Sequence, residues 1–176
     1  MNDDRRWFHV TITTYGSWLP GDPRGFRTRH HREHVDGDYK RPPEEDYAGR
    51  HARSRKLCKV PPVLLTPAQR RLVVLAIHER LVGLGDTVIT VGMSGRHGHV
   101  LGQFIPKDVR RQIGHAKQHA FCALREVGWS GFLWAKRCGV EPVKDRSHQI
   151  NTLNYIVRHR RVRAYVWRWG DPIEDS

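Results

Sequence analysis

The sequence has few cysteines, no long apolar run and far fewer acidic than basic residues. Its three cysteines are widely spaced and form no Cys-x-x-Cys pair, so neither a disulfide framework nor a zinc knuckle is indicated. No apolar run approaches the roughly 18–20 residues that span a bilayer, and the N-terminal residues contain no apolar core of a signal peptide. We therefore expect a cytoplasmic protein in a reducing compartment.

The charge balance predicts a polyanionic partner. Lys and Arg number 31 against 18 Asp and Glu, which gives a formal net charge of +13. Such an excess is most often a sign of nucleic-acid binding. The 176 residues predict one domain, 1–176, with a basic loop or arm at about 21–63 that has almost no apolar periodicity. We favour an arm that becomes ordered on nucleic acid, and a solvated insertion is the alternative.

The apolar pattern of the remaining chain predicts an alternation of strands and helices. The expected elements are a strand at 7–14, a helix from 66, a hairpin at about 87–105, a helix at about 106–127, a strand at 132–137, an irregular return at 139–144 with or without a short strand, and a last helix from 146 to about 165. This order predicts the α+β class, with a ferredoxin-like antiparallel sheet (split βαβ) and helices on one face. The last helix is an addition to that pattern.

Two histidines stand at the start of the second hairpin strand. Side chains alternate between the faces of a strand, so His97 and His99 point the same way and Gly98 points to the other face. Two imidazoles side by side on a strand are half of a divalent-metal site.

The last helix carries Tyr155 and His159, which lie on one helix face, one turn apart. A third imidazole would complete a three-ligand set with the histidine pair and leave metal positions open to phosphate oxygen. A phenol, with an ordinary pKa of about 10, is a poor nucleophile at neutral pH. A metal that polarises the scissile phosphate would lower that barrier.

These motifs resemble those of the single-tyrosine HUH transposases of minimal bacterial insertion sequences, and of the related REP-associated tyrosine transposases. Phe8–Thr13 looks like the family's first strand, and the stretch from Val91 to Leu101 sits where the family has Met-Pro-Asn-His-hydrophobic-His-Leu. Trp134-Ala-Lys-Arg137 and a Tyr-Ile-x-x-ligand pattern then follow in the family's order. The chain departs from the pattern at Gly98, where the family has a bulky apolar residue, and at Gly95-Arg96, which replaces Pro-Asn.

The resemblance implies a DNA transposase that acts as a metal-dependent endonuclease and strand transferase. His97 and His99 match the metal-binding pair, Tyr155 matches the nucleophile, and His159 falls where the family places a third ligand, usually Gln or Asn. The implied cofactor is Mg²⁺ or Mn²⁺, with a histidine at 159 favouring Mn²⁺. The implied substrate is single-stranded DNA, cut at the foot of a hairpin through a 5′-phosphotyrosine intermediate. The implied assembly is a homodimer, whose tyrosine helix could serve the partner's metal site.

Basic residues near these motifs are candidates for DNA contacts. They are Arg96, Lys117, Arg158, Arg160, Arg161 and Arg163. Tyr165, Trp167 and Trp169 are interleaved with the last of them, a pattern that favours phosphate contacts together with base stacking. An ordinary solvated helix face is the alternative.

The other histidines leave alternatives open. His115 and His119 are a rival metal pair or face solvent or phosphate, His148 faces the site or is a polar residue at a helix start, and His9 neighbours the site or is satisfied within the sheet. Two other functions also remain. One is a domesticated nucleic-acid-binding protein that has kept the fold and lost catalysis. The other, which we favour less, is a replication-initiator nuclease.

Overall fold

The structure is a computed structural model, and it describes residues 4–19, 21–22, 26–27, 34–35 and 46–172. Within them the protein is α+β, with four helices and a five-stranded antiparallel sheet. The elements are β1 (Arg6–Thr13), β2 (Phe26–Arg27), β3 (His34–Val35), α1 (Asp46–Lys56), α2 (Pro67–Gly83), β4 (Thr87–Met93), β5 (His97–Phe104), α3 (Val109–Glu126), β6 (Gly139–Pro142), α4 (Arg146–Arg158), a 3₁₀ turn (His159–Val162) and β7 (Tyr165–Arg168).

The strand order of the sheet is β6-β1-β5-β4-β7, and every neighbouring pair is antiparallel. The hairpin strands β4 and β5 therefore lie beside β1, and β6 and β7 form the two edges. The short strands β2 and β3 pair only with each other. None of the helices in the described residues is long and apolar enough to cross a membrane.

One face of the sheet, here called the inner face, carries most of the apolar core. Alternate residues of β1 (Phe8, Val10 and Ile12) are buried on it, together with Val100 and Phe104 of β5. They pack against the apolar sides of α2 and α3. Burial of this side of the sheet supplies most of the hydrophobic stabilisation.

The opposite face, here called the outer face, is covered in part by α4. Ile156 of α4 packs there with Leu101 and Val166 in a second, smaller apolar cluster. This approach depends on Gly92, because a Cβ at that position would lie 3.1 Å from Ile156 Cγ2 and 3.2 Å from Val166 Cγ2. A glycine inside a strand commonly marks such a close approach.

Side-chain caps fix the starts of two helices where the sequence predicted them. The Thr66 hydroxyl accepts a hydrogen bond from Gln69 N–H, and the Gln69 side chain accepts one from Thr66 N–H, which together form a capping box at α2. At α4, the Asp145 carboxylate accepts from His148 N–H.

The strand predicted at 132–137 is wrong. This segment makes only an isolated bridge between Thr14 and Trp134, and the strand β6 follows at Gly139–Pro142, within the return for which a short strand was one of the expected alternatives. The Trp134 indole N–H donates to the Lys117 carbonyl, 2.7 Å away, and so ties the segment to α3. Side-chain anchoring to the helix layer thus prevails over the local strand propensity.

The last helix also ends earlier than predicted. After α4 the chain makes a 3₁₀ turn, Arg163 adopts a left-handed conformation with φ of 63°, and the chain then enters the edge strand β7 beside β4. Trp167 is 5% exposed and packs in the core of the inner face, and Tyr165 is half-buried against it. Their predicted role in stacking on bases is therefore wrong, whereas Trp169 is exposed.

The predicted basic arm at about 21–63 contains a helix that the sequence did not predict. Helix α1 occupies Asp46–Lys56, and β2 and β3 pair before it. The other residues of this prediction up to position 45, apart from 21–22, lie outside the described part of the chain.

Candidate metal centre and tyrosine site

Three histidines come together on the outer face. His97 and His99 stand at the start of β5, and His159 follows the last residue of α4. One ring nitrogen of each lies within 4.8 Å of those of the other two. This spacing is compatible with three nitrogens that bind one metal ion, and it brings together the residues that the sequence analysis selected.

Hydrogen bonds fix the tautomers of two of these rings. His159 Nδ1 lies 2.9 Å from the Tyr155 carbonyl oxygen, which can only accept, so Nδ1 carries the proton. His97 Nδ1 lies 3.1 Å from Ser94 Oγ, whose own proton goes to the His97 carbonyl at 2.8 Å. His97 Nδ1 is therefore also the donor. In both rings the lone pair belongs to Nε2, the form in which imidazole binds metals through that nitrogen.

The Nδ1 atom of the third ring, His99, also has a hydrogen-bond partner, which is His9. Its Nδ1 lies 3.1 Å from His9 Nε2, across the pairing of β1 with β5. Its Nε2 is buried and has no hydrogen-bond partner within the described residues. Either tautomer leaves one buried polar group unsatisfied, which costs about 1–3 kcal/mol. A metal ion bound to a lone pair on Nε2 removes this cost, so the buried ring fits a metal ligand.

The electrostatic setting keeps the His99 ring neutral. Burial, and then the neighbouring His97, His9 and His159, lower the pKa of His99 to about 2. Burial also lowers the pKa of His9, with Glu141 acting in the opposite direction. A proton therefore does not compete with a metal ion for the His99 nitrogen near neutral pH.

Tyr155 lies at the solvent side of this cluster. Its ring centroid is 5.3 Å from that of His99 and 4.7 Å from that of His159, and the residue is 47% exposed. The phenol is thus accessible to a large substrate and adjacent to the proposed ligands. The tyrosine and all three histidines meet within one chain.

Gly98, the main departure from the family pattern, belongs to the inner face. A Cβ at this position would lie 2.6 Å from Met93 Sδ, 2.7 Å from the Gly92 carbonyl oxygen and 3.3 Å from Ile12 Cγ1. Packing beneath the strand therefore leaves no room for a side chain. The glycine leaves His97 and His99 in their strand positions.

Three other candidate histidines, His115, His119 and His148, are not part of the three-histidine group. His148 is near the start of α4, where its Nδ1 accepts from Lys144 N–H. His119 contacts the Glu79 carboxylate at 3.3 Å, and His115 is exposed. In the described part of the chain, only His97, His99 and His159 form a group of three residues suited to a metal.

The arginines near the end of α4 differ in whether their side chains are already bound to other parts of the protein. Arg158, Arg161 and Arg163 are exposed close to His159 in sequence. The Arg160 guanidinium instead donates to the Val166 carbonyl at 2.8 Å and to the carboxylate of Asp171 at 2.6 Å. It therefore holds the 3₁₀ turn against β7.

The other two candidates for DNA contacts, Lys117 and Arg96, are not on α4 or the turn that follows it. Lys117 is on α3, in the layer that covers the inner face, and its Nζ donates to the Ala135 carbonyl at 2.7 Å. Burial lowers the pKa of Lys117. Arg96 lines a surface pocket immediately before β5.

One residue of the site, Ser94, emerges only from the structure, where it orients His97. The sequence left two alternatives open for His9, and the structure places it beside the site, where it orients His99. That contact depends on the strand register.

A scan against protein-family models gives no match for this sequence, and a search of curated proteins gives none either.

Proposed function

We propose that the protein is a metal-dependent endonuclease and strand transferase that acts on single-stranded DNA through Tyr155, in the manner of an HUH transposase. The observation that carries this proposal is the convergence of three histidines and an accessible tyrosine on the outer face of a basic protein. The net charge of +13 supports a nucleic-acid substrate.

In this mechanism the Tyr155 hydroxyl oxygen attacks the scissile phosphorus. A new bond forms between that oxygen and phosphorus as the bond from phosphorus to the 3′ oxygen breaks. The tyrosine loses its proton, the 3′ oxygen gains one, and the DNA remains joined to the protein by a 5′-phosphotyrosine bond. Reversal with a different 3′-hydroxyl would rejoin the strand.

His97, His99 and His159 would hold the divalent metal. When bound, Mg²⁺ or Mn²⁺ would polarise a phosphate oxygen and offset the developing negative charge. Three imidazole ligands favour Mn²⁺ over Mg²⁺, which prefers oxygen. His9 and Ser94 would keep two of the ligand rings in the orientation that metal binding needs.

The topology supports a finer assignment of the fold. The strands β1, β4, β5 and β6 with helices α2 and α3 have the order of the ferredoxin-like split βαβ, and α4 and β7 are then additions to it. Exposed Arg158, Arg161 and Arg163 would contact phosphates of hairpin DNA near the site. A homodimer remains part of the proposal, and with the site assembled within one chain it is not needed to complete it.

A covalent adduct tests the proposed function. Purified protein incubated with Mn²⁺ and single-stranded DNA that forms a hairpin should give a protein–DNA adduct that resists denaturing electrophoresis. Tyr155→Phe should abolish the adduct, because it removes the attacking oxygen and keeps the ring. Tyr165→Phe is the matched control, since its ring packs away from the histidines, and it should retain the adduct.

The alternative, a domesticated protein that binds nucleic acid without cutting it, predicts metal-independent binding and no adduct. An adduct that persists in Tyr155→Phe would contradict the assignment of the nucleophile. Gly98 gives no support to the alternative, because its lack of a side chain follows from packing on the inner face.

A further inference from the structure

A pocket of about 330 Å³ opens at the surface beside the start of β5. We call it the turn pocket, because most of one wall comes from the turn after β1. Its lining includes Gly16, Leu19, His51, Arg55, Pro62 and Arg96. The volume is at the lower end of the range for small-ligand sites and is large enough for one nucleotide.

Buried polar groups fix one wall of the turn pocket. The Arg96 carbonyl accepts hydrogen bonds from Thr14 N–H at 2.8 Å and from Ser17 Oγ at 3.3 Å, and the Thr14 hydroxyl donates to the Val63 carbonyl at 2.8 Å. Thr14 and Ser17 are both buried. The Arg96 backbone is thus held against the turn, so the pocket has a preformed wall.

The lining combines positive charge with apolar surface. Arg55 of α1 and Arg96 both line the pocket, and Leu19 and Pro62 add apolar contact. Two guanidinium groups suit a phosphate, and the apolar side chains suit a sugar or base. Asp22 also lines the pocket and is buried.

The turn pocket and the histidine cluster contain consecutive residues of the chain. Arg96 in the pocket wall directly precedes His97, and consecutive Cα atoms are about 3.8 Å apart. The proposal therefore places a neighbouring nucleotide of the strand that passes Tyr155 in this pocket.

We propose that the turn pocket binds one unpaired nucleotide of single-stranded DNA, with its phosphate held by Arg55 and Arg96 and its sugar and base against Leu19 and Pro62. This assignment deepens the proposed function and rests on it for the identity of the DNA substrate. It gives α1, within the basic arm, a direct role in substrate binding.

The test is the salt dependence of DNA binding, measured in EDTA so that no cleavage takes place. Fluorescence anisotropy with a labelled oligothymidylate would give the slope of log affinity against log salt concentration. Arg55→Gln should reduce the magnitude of this slope by about 0.7, the value for one phosphate contact to a single strand. Arg96→Gln should act in the same direction.

Arg53→Gln is the matched control, because Arg53 is exposed on the same helix and does not line the pocket. Its slope should stay close to that of the original protein. Equal slopes for Arg55→Gln and Arg53→Gln would overturn the proposal, since they would show a general charge effect. Circular dichroism of the variants would check that α1 remains folded.

A second measurement locates the ligand. Titration with thymidine 5′-monophosphate should shift the backbone amide NMR signal of Gly16 and leave that of Gly114, an exposed glycine of α3, unchanged. Equal shifts at both positions would overturn the proposal. Neither measurement involves Tyr155 or a metal, so a missing tyrosine adduct would remove the proposed cleavage and leave this nucleotide site testable.

Discussion

The two faces of the sheet are built from alternate residues of the same strands, and they differ in nearly every property. The inner face carries Phe8, Val10 and Ile12 of β1 under α2 and α3. The outer face carries His9 of β1 and His99 of β5, with only a small apolar cluster under α4. A period of two residues thus separates the part of the sheet that stabilises the fold from the part suited to chemistry.

This separation predicts that neighbouring residues have unlike roles. Loss of an inner-face side chain should lower stability and leave metal binding intact. Loss of an outer-face histidine should abolish metal binding and change stability little, because a buried polar atom without a partner contributes little to stability.

The largest effect is expected from His99→Phe. This change removes the buried Nε2 and keeps a ring of similar size, so Mn²⁺ binding, measured by isothermal titration calorimetry, should be lost. The free energy of unfolding in EDTA should fall little or even rise, since an unsatisfied polar group has been removed. Retention of Mn²⁺ binding with unchanged affinity would contradict the ligand assignment.

The inner-face counterpart is Ile12→Ala. Ile12 is 1% exposed, and its truncation should lower the free energy of unfolding by about 2–5 kcal/mol in urea titrations. Thr11→Ala is the control from the next position of β1, where the side chain is half-buried on the outer face, and it should change stability by only about 0.5 kcal/mol. Similar losses for both variants would break the distinction between the faces.

His9→Phe probes the orientation of a ligand. Because His9 accepts a hydrogen bond from the metal-binding form of His99, its loss should weaken Mn²⁺ binding about 10–100-fold in the same calorimetric measurement. His9→Gln retains an acceptor and should weaken it less. If the two variants behave alike, the hydrogen bond does not orient His99.

Within about one pH unit of neutrality, the smallest expected effect is a dependence of stability on pH. The pKa of His99 is lowered to about 2 in the folded chain, chiefly by burial, against an ordinary value of 6.5. The unfolded chain therefore binds this proton first, and the free energy of unfolding falls as pH drops below 6.5, by up to about 1.4 kcal/mol per pH unit. Urea titrations in EDTA at several pH values would measure it.

Asp86 gives the comparison an internal control. Burial raises its pKa to about 6, although Arg5 opposes this from 3.1 Å, so its contribution to stability falls as pH rises from about 4 to 6. That effect opposes the histidine effect and is common to both proteins when the original chain is compared with His99→Phe. The free energy of unfolding of the original chain should therefore fall relative to that of His99→Phe as pH falls. A constant difference would contradict the lowered pKa of His99.

The sequence predicted those elements that depend on residues close together in the chain. The starts of α2 and α4 follow from caps within a few residues, and the face shared by His97 and His99 follows from strand alternation. The strand β7 was not predictable in this way, since four residues in a basic stretch pair with β4, more than seventy residues earlier in the chain.

The same limit explains what the sequence left undecided at the site. The contact between His9 and His99 exists because β1 and β5 pair in a register that sets Thr11 opposite His99. A slip of one residue would turn His9 to the inner face, and no local signal fixes that register. Likewise, Gly98 is interpretable only once Met93 and Ile12 are known to pack beneath it.

The most direct measurement is a crystal structure of the protein grown with Mn²⁺, with anomalous diffraction data to locate the ion. We predict one strong anomalous peak on the outer face, at an ion bonded to a nitrogen from each of His97, His99 and His159, with Tyr155 beside it. A peak at His115 and His119 instead, or none at the three histidines when Mn²⁺ is in excess, would contradict this prediction.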